Sequence, residues 1–239
     1  MEALADRLIV ALDFATVAEA KTLVDRLTGL SLTFKIGHEL IFGGEGIAFA
    51  RDLAAAGHGV FLDAKLLDIV NTVERSVAAI SRLGARLLTV HGHDRKTLDA
   101  AVRGRGTSDL GLLAVTVMTH LDQRDLAEQG ATMTSDGLVL QRARMAHAAG
   151  FTGVVASARE AAMIRAEVGS DFLIVTPGIR PSGSARGDQV RTMTPREAVA
   201  AGASHLVVGR PITRASDPLG AARAILGEIA TAVAITTAT

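Results

Sequence analysis

The sequence predicts an α/β fold, a (β/α)8 TIM barrel built as a single domain over residues 1–239. Three observations predict it. Eight short aliphatic runs rich in Val, Leu and Ile recur along the chain, apolar on both faces as strands of a covered parallel sheet should be. Between them lie stretches with apolar residues at three- and four-residue steps. The length of 239 residues also suits a barrel of this kind, which typically runs to about 250. A doubly wound open sheet would need fewer strands and a Gly-rich fingerprint after the first, where this chain reads ALDFATVAEA.

The first strand is RLIVALD (7–13), and the helix after it, TVAEAKTLVDRL, places Val17, Ala20, Leu23, Val24 and Leu27 on one stripe. SLTFKIG (31–37) and GVFLDAK (59–65) are the second and third strands, and NTVERSVAAISRLG the helix that follows the third. ARLLTVHG (85–92), GLLAVTVMT (111–119) and GVVAS (153–157) continue the series, with AREAAMIRAEVG as the next helix. Both of these helices close with a Gly after the last turn. FLIVTPG (172–178) and HLVVGRP (205–211) complete the eight strands. The last helix, DPLGAARAILGEIATAV, opens with Asp217 as N-cap and Pro218 at the first helical position.

Composition narrows the function. Twenty-five basic and 25 acidic side chains balance, which argues against nucleic acid or a basic membrane surface as partner. With no cysteine, neither disulfides nor thiolate chemistry is available. The start, MEALADRLIV, lacks a signal peptide pattern, and no apolar run approaches the roughly 18 residues of a membrane span, so a cytoplasmic protein is expected. Seven Phe without Tyr or Trp make a stacking platform for bases unsuitable.

In a barrel of this kind catalytic groups come from the C-terminal ends of strands and the loops beyond them. Here those ends carry Asp13, Lys35, Asp63 with Lys65, His91, Thr119 with His120, Pro177 followed by Arg180, and Gly209 with Arg210. Asp13 has two readings, a mouth residue or a cap for the helix near Thr16. His91 reads as a hydrogen-bonded structural histidine or a catalytic one, and HGHD (91–94) is a weak metal pattern. Arg210 taken alone is also compatible with a surface ion pair. Asp63 and Lys65 are harder to explain structurally. Period-two alternation puts them on one face, and a buried ion pair contributes little net stability, so function is the better account.

The loop TPGIRPSGSARGDQVR (176–191) carries Gly178, Gly183 and Gly187 beside Arg180, Arg186 and Arg191, and VVGRPI follows at the eighth strand. Barrels often bind phosphate after strands seven and eight, and arginine suits phosphate by bidentate hydrogen bonding. The ligand class is therefore a phosphorylated small molecule, with the long loop as its lid.

LDAKLLDIVNTV resembles the pattern Asp-x-Lys-x-x-Asp-Ile-Pro-Asn-Thr of the orotidine 5'-phosphate decarboxylase family. VALD, FKIG, VTVMT, TPGIRP, GDQVR and VVGRPI extend the likeness over nearly the whole chain. The resemblance implies decarboxylation of orotidine 5'-monophosphate to uridine 5'-monophosphate in pyrimidine biosynthesis. It also implies no cofactor, no metal, and a homodimer with shared sites. Lys65 becomes the proton donor to C6, Asp63 the neighbour of the departing carboxylate, and Lys35 part of a Lys-Asp-Lys-Asp row completed by Asp68. Asp68 and Thr72 reach into the partner subunit's site. Asp13 and Lys35 hold the ribose, and Arg180, Gln189, Gly209 and Arg210 the phosphate. Ile69, Thr119 and Pro177 line the substrate. Two departures stand out: Val70 where the family usually has Pro, in what reads as a loop after Asp68, and His120 where Ser is common. Sugar-phosphate enzymes of the superfamily resemble the chain at Asp13, Asp63, Lys65 and Asp68. They use magnesium held partly by a Glu at the end of the second strand, where this chain has Lys35. A non-catalytic phosphate-binding barrel would leave Asp63, Lys65 and Asp68 without a purpose.

Overall fold

The computed structural model describes residues 2–181 and 192–237. Eight parallel strands close into a barrel in sequence order: β1 Leu8–Ala11, β2 Thr33–Ile36, β3 Gly59–Leu66, β4 Leu87–His91, β5 Gly111–Val115, β6 Gly153–Val155, β7 Leu173–Thr176 and β8 His205–Val208. All eight predicted strands are present. Most end earlier than their aliphatic runs, because the last residues of each run leave the ladder to form the mouth. The helices are α1 Glu2–Ala5, α2 Val17–Arg26, α3 His38–Phe42, α4 Gly46–Ala55, α5 Val70–Ile80, α6 Arg95–Arg105, α7 Gln123–Glu128, α8 Ser135–Ala149, α9 Ala161–Val168, α10 Pro195–Ala200, α11 Arg210–Thr213 and α12 Pro218–Thr237.

Alternation sorts the strand residues into two cores. Leu8 and Val10, Phe34 and Ile36, and Val60 and Leu62 face outward against the helices. Ile9, Ala11, Phe61, Leu87, Leu113, Val175 and Val207 fill the barrel interior. Continuing the inward series toward the C-terminal ends of β2, β3 and β4 gives Lys35, Asp63, and Thr89 with His91. The interior is thus apolar at mid-height and charged at its mouth.

Local signals set the helix ends. Thr16 caps α2 in a reciprocal box with Glu19, so the alternative that Asp13 caps this helix is wrong. The hydroxyl three residues nearer the helix can reach an N3 amide, and Asp13 cannot. Asp94 caps α6 by accepting from Thr97 N and Oγ1, both at 2.8 Å, which commits the carboxylate of HGHD to a helix end. Asp217 accepts from Gly220 N at 2.9 Å at the start of α12, as expected. Helix α12 corrects the expectation that no segment reaches spanning length: its Pro218–Ile235 window has mean hydropathy 1.4. Its apolarity has a local use, since Ala222, Ile225, Ile229 and Ala232 form a buried stripe in the outer core.

At the barrel floor, Arg7 donates to the carbonyls of Ser204 and Ala203 at 2.8 and 2.9 Å, and Arg86 pairs with Asp6 through both guanidinium nitrogens. His205 sits among them, 8% exposed, with Nε2 4.0 Å from Asp6. Burial pushes its pKa from 6.5 down to about 4, with Asp6 opposing and Arg86 and Arg7 adding to the fall. The neutral ring therefore belongs to the folded state. Stability is full above the unfolded pKa of 6.5 and is lost as pH falls toward 4, by up to about 3 kcal/mol. Urea denaturation of wild type and His205→Gln between pH 7 and pH 4.5 checks this, and the variant should lose less stability than wild type over that range.

Candidate active site

The inward residues at the ends of β2 and β3 form one ionic row. Lys35 Nζ lies 2.8 Å from Asp13 Oδ1 and 3.6 Å from Asp63 Oδ2, and Lys65 Nζ lies 2.8 Å from the same Asp63 oxygen. Side-chain exposure is 10% for Lys35, 14% for Asp63 and 24% for Lys65, against 61% for Asp13. Asp13, two residues past β1, is thus the wet end of a row whose centre is nearly dry. Burial pushes the Asp63 carboxyl up, but the ammonium groups of Lys35 and Lys65 and the hydrogen bonds from Lys65 and Thr89 outweigh it. They hold the group below its ordinary value. Asp63 is therefore a carboxylate at neutral pH.

Period-two alternation does not by itself account for the pairing of Asp63 and Lys65. Leu62 pairs with Leu88, but Leu66 pairs with Val90, so four steps along β3 match two along β4. The extra residues bulge out, and Lys65 has φ 45°, the left-handed region that a side chain with a Cβ rarely enters. Thr89, fully buried on β4, stands opposite the bulge. Its Oγ1 accepts from Lys65 N at 2.9 Å and donates to Asp63 Oδ1 at 3.0 Å.

His91 ends β4, half-buried, with its ring centroid 4.9 Å from that of exposed His93. Burial, followed by His93, Lys65 and Arg142, pushes His91 down to about 4, so the ring is neutral beside the row. Arg142 reaches from α8 to the Thr116 carbonyl on the same side of the mouth.

A cleft of about 430 Å³ adjoins the row, bordered by Asp13, Lys35, Pro177, Arg180, Gly209 and Arg210. These residues, which the sequence places at four different strand ends, come together as expected. Arg180 is 9% exposed, with Nη1 donating to the Ile179 carbonyl at 2.8 Å, and its amide donates to Met193 O at 2.9 Å. Gly178, at φ 78°, makes the left-handed turn that carries the chain from β7 to Arg180. Gln189, with Arg186 and Arg191 of the expected lid, lies outside the described residues.

Other expected residues stand apart from the row. Asp68 is exposed and accepts from the Ile69 amide at 2.6 Å; Ile69 and Thr72 are exposed as well. Val70 is not in a loop. It is the first residue of α5, after Ile69 at φ −58°, ψ 149°. Proline suits that position because the first amide of a helix has no partner within it, so valine forgoes only preorganisation. Thr119 is half-buried four residues beyond β5, in a turn closed by Leu121 N to Met118 O at 2.9 Å, and His120 is exposed.

Two residues escaped the sequence reading. Thr89 was detectable as a hydroxyl amid the aliphatic LLTVH of β4. Gly37 gave no signal beyond being a glycine. A Cβ there would meet Lys35 Nζ at 3.1 Å and Asp13 Oδ1 at 3.4 Å, so its bare backbone leaves room for the ion pair.

The family model described as "Orotidine 5'-phosphate decarboxylase / HUMPS family" matches residues 6–225. The orotidine 5'-phosphate decarboxylase of Methylobacterium sp. (strain 4-46) is 54% identical over 230 residues, covering 95% of this chain and 97% of that one. That of Afipia carboxidovorans is 53% identical over 227 residues, covering 95% and 96%. Among solved structures, the orotidine 5'-phosphate decarboxylase of Lactobacillus acidophilus superposes with TM-score 0.83 at 36% identity, over 94% of this chain and 99% of that one. An uncharacterized conserved protein from Geobacillus kaustophilus gives TM-score 0.81 at 36% identity, over 93% and 99%.

Proposed function

Since the chain belongs to the orotidine 5'-phosphate decarboxylase / HUMPS family, we propose that it decarboxylates orotidine 5'-monophosphate to uridine 5'-monophosphate and carbon dioxide, as a step of pyrimidine biosynthesis. The observation that carries this reading within the family is Lys35. Its ammonium occupies the space between Asp13 and Asp63 at 2.8 and 3.6 Å, where a magnesium-dependent sugar-phosphate enzyme would need a carboxylate. A cation fixed there repels a metal and neutralises the two acids most suited to hold one.

The chemistry follows from the charge row. Loss of carbon dioxide from C6 leaves a carbanion in the plane of the ring, which no neighbouring π-system delocalises directly. The protein stabilises it with a placed positive charge and then protonates it, and one ammonium serves both purposes. Lys65 is suited to this role because its side chain is largely shielded from water and Asp63, at 2.8 Å, holds it in place. The Lys65 proton goes to C6, the electron pair of the broken C–C bond becomes the new C–H bond, and solvent later reprotonates the amine. Asp63, held ionised, faces the side from which the carboxylate departs. Asp13 and Lys35 serve the ribose hydroxyls. The cleft bordered by Arg180, Gly209 and Arg210 serves the phosphate.

In this reading the protein is a cytoplasmic homodimer, and Asp68 and Thr72 complete the partner's site. The surface supports it: Ile69 is 72% exposed and Leu67 52%, beside the very residues that would cross over. Phe42, 80% exposed, borders an apolar cleft of about 510 Å³ shared with Ile41, Leu66, Ile80 and Leu83. Apolar surface of this kind is typical of a face covered by another protein.

The test is loss of orotidine 5'-monophosphate absorbance with purified protein in excess chelator. Turnover unaffected by the chelator is expected; none at all would refute the reading. Arg210→Ala should raise KM for the phosphorylated substrate on the order of tenfold to a hundredfold, equivalent to one charge-assisted contact. Unchanged kinetics would remove Arg210 from the phosphate site.

A further inference from the structure

We infer that Thr89 is a positioning residue for the decarboxylation, a single hydroxyl that fixes both the carboxylate of Asp63 and the backbone from which Lys65 projects. The inference rests on the decarboxylase reading of the row and adds to it a residue on a different strand, which acts through Asp63 and Lys65.

The hydrogen-bonding roles leave the hydroxyl one orientation. The Lys65 amide is a donor only, so Thr89 Oγ1 accepts from it at 2.9 Å; an ionised carboxylate is an acceptor only, so Thr89 gives its one proton to Asp63 Oδ1 at 3.0 Å. No apolar side chain can do either, and no purely donating or accepting group can do both. The partners are two residues apart on β3, and Thr89 is on β4, with 0% exposure. Water does not substitute readily at a site so enclosed.

Each bond answers a specific problem. Asp63 Oδ2 already receives Lys65 Nζ at 2.8 Å, with Lys35 Nζ 3.6 Å away. Were Oδ1 unheld, the carboxylate could rotate about its terminal bond, a torsion with broad wells, and swing its charge relative to the ammonium. Thr89 closes that freedom. At Lys65 the bulge takes the amide out of register with β4, and a buried backbone N–H without an acceptor is costly. The hydroxyl supplies the acceptor that a regular ladder would have found in a carbonyl. It thereby stabilises the φ 45° conformation that brings the Lys65 side chain back over Asp63. One buried residue thus determines the direction of the proton donor and of its counter-ion together.

The experiment compares Thr89→Val, which keeps the shape and removes both bonds, with Thr89→Ser, which keeps the hydroxyl. In Thr89→Val, kcat should fall on the order of tenfold to a hundredfold, the cost of a sub-ångström to one-ångström misplacement at a reacting group. KM should change by less than about threefold, because the phosphate contacts are untouched. The acidic limb of the kcat/KM profile should move to higher pH, since Asp63 loses a bond to its ionised form. Thr89→Ser should restore most of kcat and the wild-type profile. A general loss of packing would lower the melting temperature in both variants without moving the pH profile. Wild-type kcat in a folded Thr89→Val, or a Thr89→Ser as slow as Thr89→Val, would overturn the inference. If Thr89→Val does not fold, Thr89→Cys, with nearly the same volume and only a weak donor, is read the same way. Failure of wild-type protein to consume orotidine 5'-monophosphate would instead strike at the decarboxylase reading itself, so the two failures are separable.

Discussion

Lys65→Ala is expected to reduce kcat by at least about four orders of magnitude while nucleotide binding stays measurable. Proton donation by a positioned group typically contributes 10²–10⁴-fold, and charge stabilisation in a dry site adds a further factor of similar size. The two effects share one ammonium, so a single substitution removes both. Binding survives because the cleft bordered by Arg180, Gly209 and Arg210 lies at other strand ends. Nor should the row collapse, as Asp63 keeps Lys35 at 3.6 Å and the Thr89 hydroxyl at 3.0 Å. Single-turnover decarboxylation together with calorimetric titration of uridine 5'-monophosphate separates the two properties. Retained turnover in this variant would remove Lys65 as the proton donor.

Lys35→Met should give the largest loss of stability among substitutions in the row, about 3 kcal/mol or more, and also a severe loss of turnover. Methionine fills much of the same volume but leaves two carboxylates facing the vacated charge. Asp63 is only 14% exposed, and removing one partner of a buried pair typically costs 3–5 kcal/mol. Asp63 is held below its ordinary pKa first by Lys35 and then by Lys65, against the upward push of burial. Without Lys35 that balance moves upward. Carboxylates with depressed pKa values stabilise the fold above their unfolded value and lose this contribution as pH falls through the folded one. The variant should therefore be less stable than wild type at pH 7 and show a smaller further loss on acidification below pH 4. Guanidinium denaturation across that range measures both. Equal stability at pH 7 would mean that Lys35 contributes charge to the reaction alone, with no part in the fold.

Both expectations concern residues that were legible early. The aliphatic runs of β2 and β3 end in Lys35 and in Asp63 with Lys65, and charge at the end of an otherwise apolar inward series has few structural uses. Arg180, Gly209 and Arg210 were legible for a similar reason, being polar or small groups directly after aliphatic strands seven and eight. The position of the cleft they border follows from strand order alone once the barrel is recognised. Asp13 was harder. Its spacing from Thr16 allowed a cap, and the ion pair with Lys35 that decides the matter joins positions 22 residues apart. Val70 likewise read as part of a loop, because the opening of α5 carries no side-chain cap to announce it.

What the sequence by itself determined was the repeating strand–helix unit, the closed barrel, and the identity of the charges at its mouth. These depend on hydrophobic period and on local chemistry, which any short stretch of chain displays. What only the tertiary structure decided was the aim of those charges: the β3 bulge, the left-handed backbone at Lys65, the hydroxyl of Thr89 beneath it, and the space left by Gly37. Each depends on how far one strand has slipped against the next. That register is set by packing across the whole barrel, so no single segment encodes it.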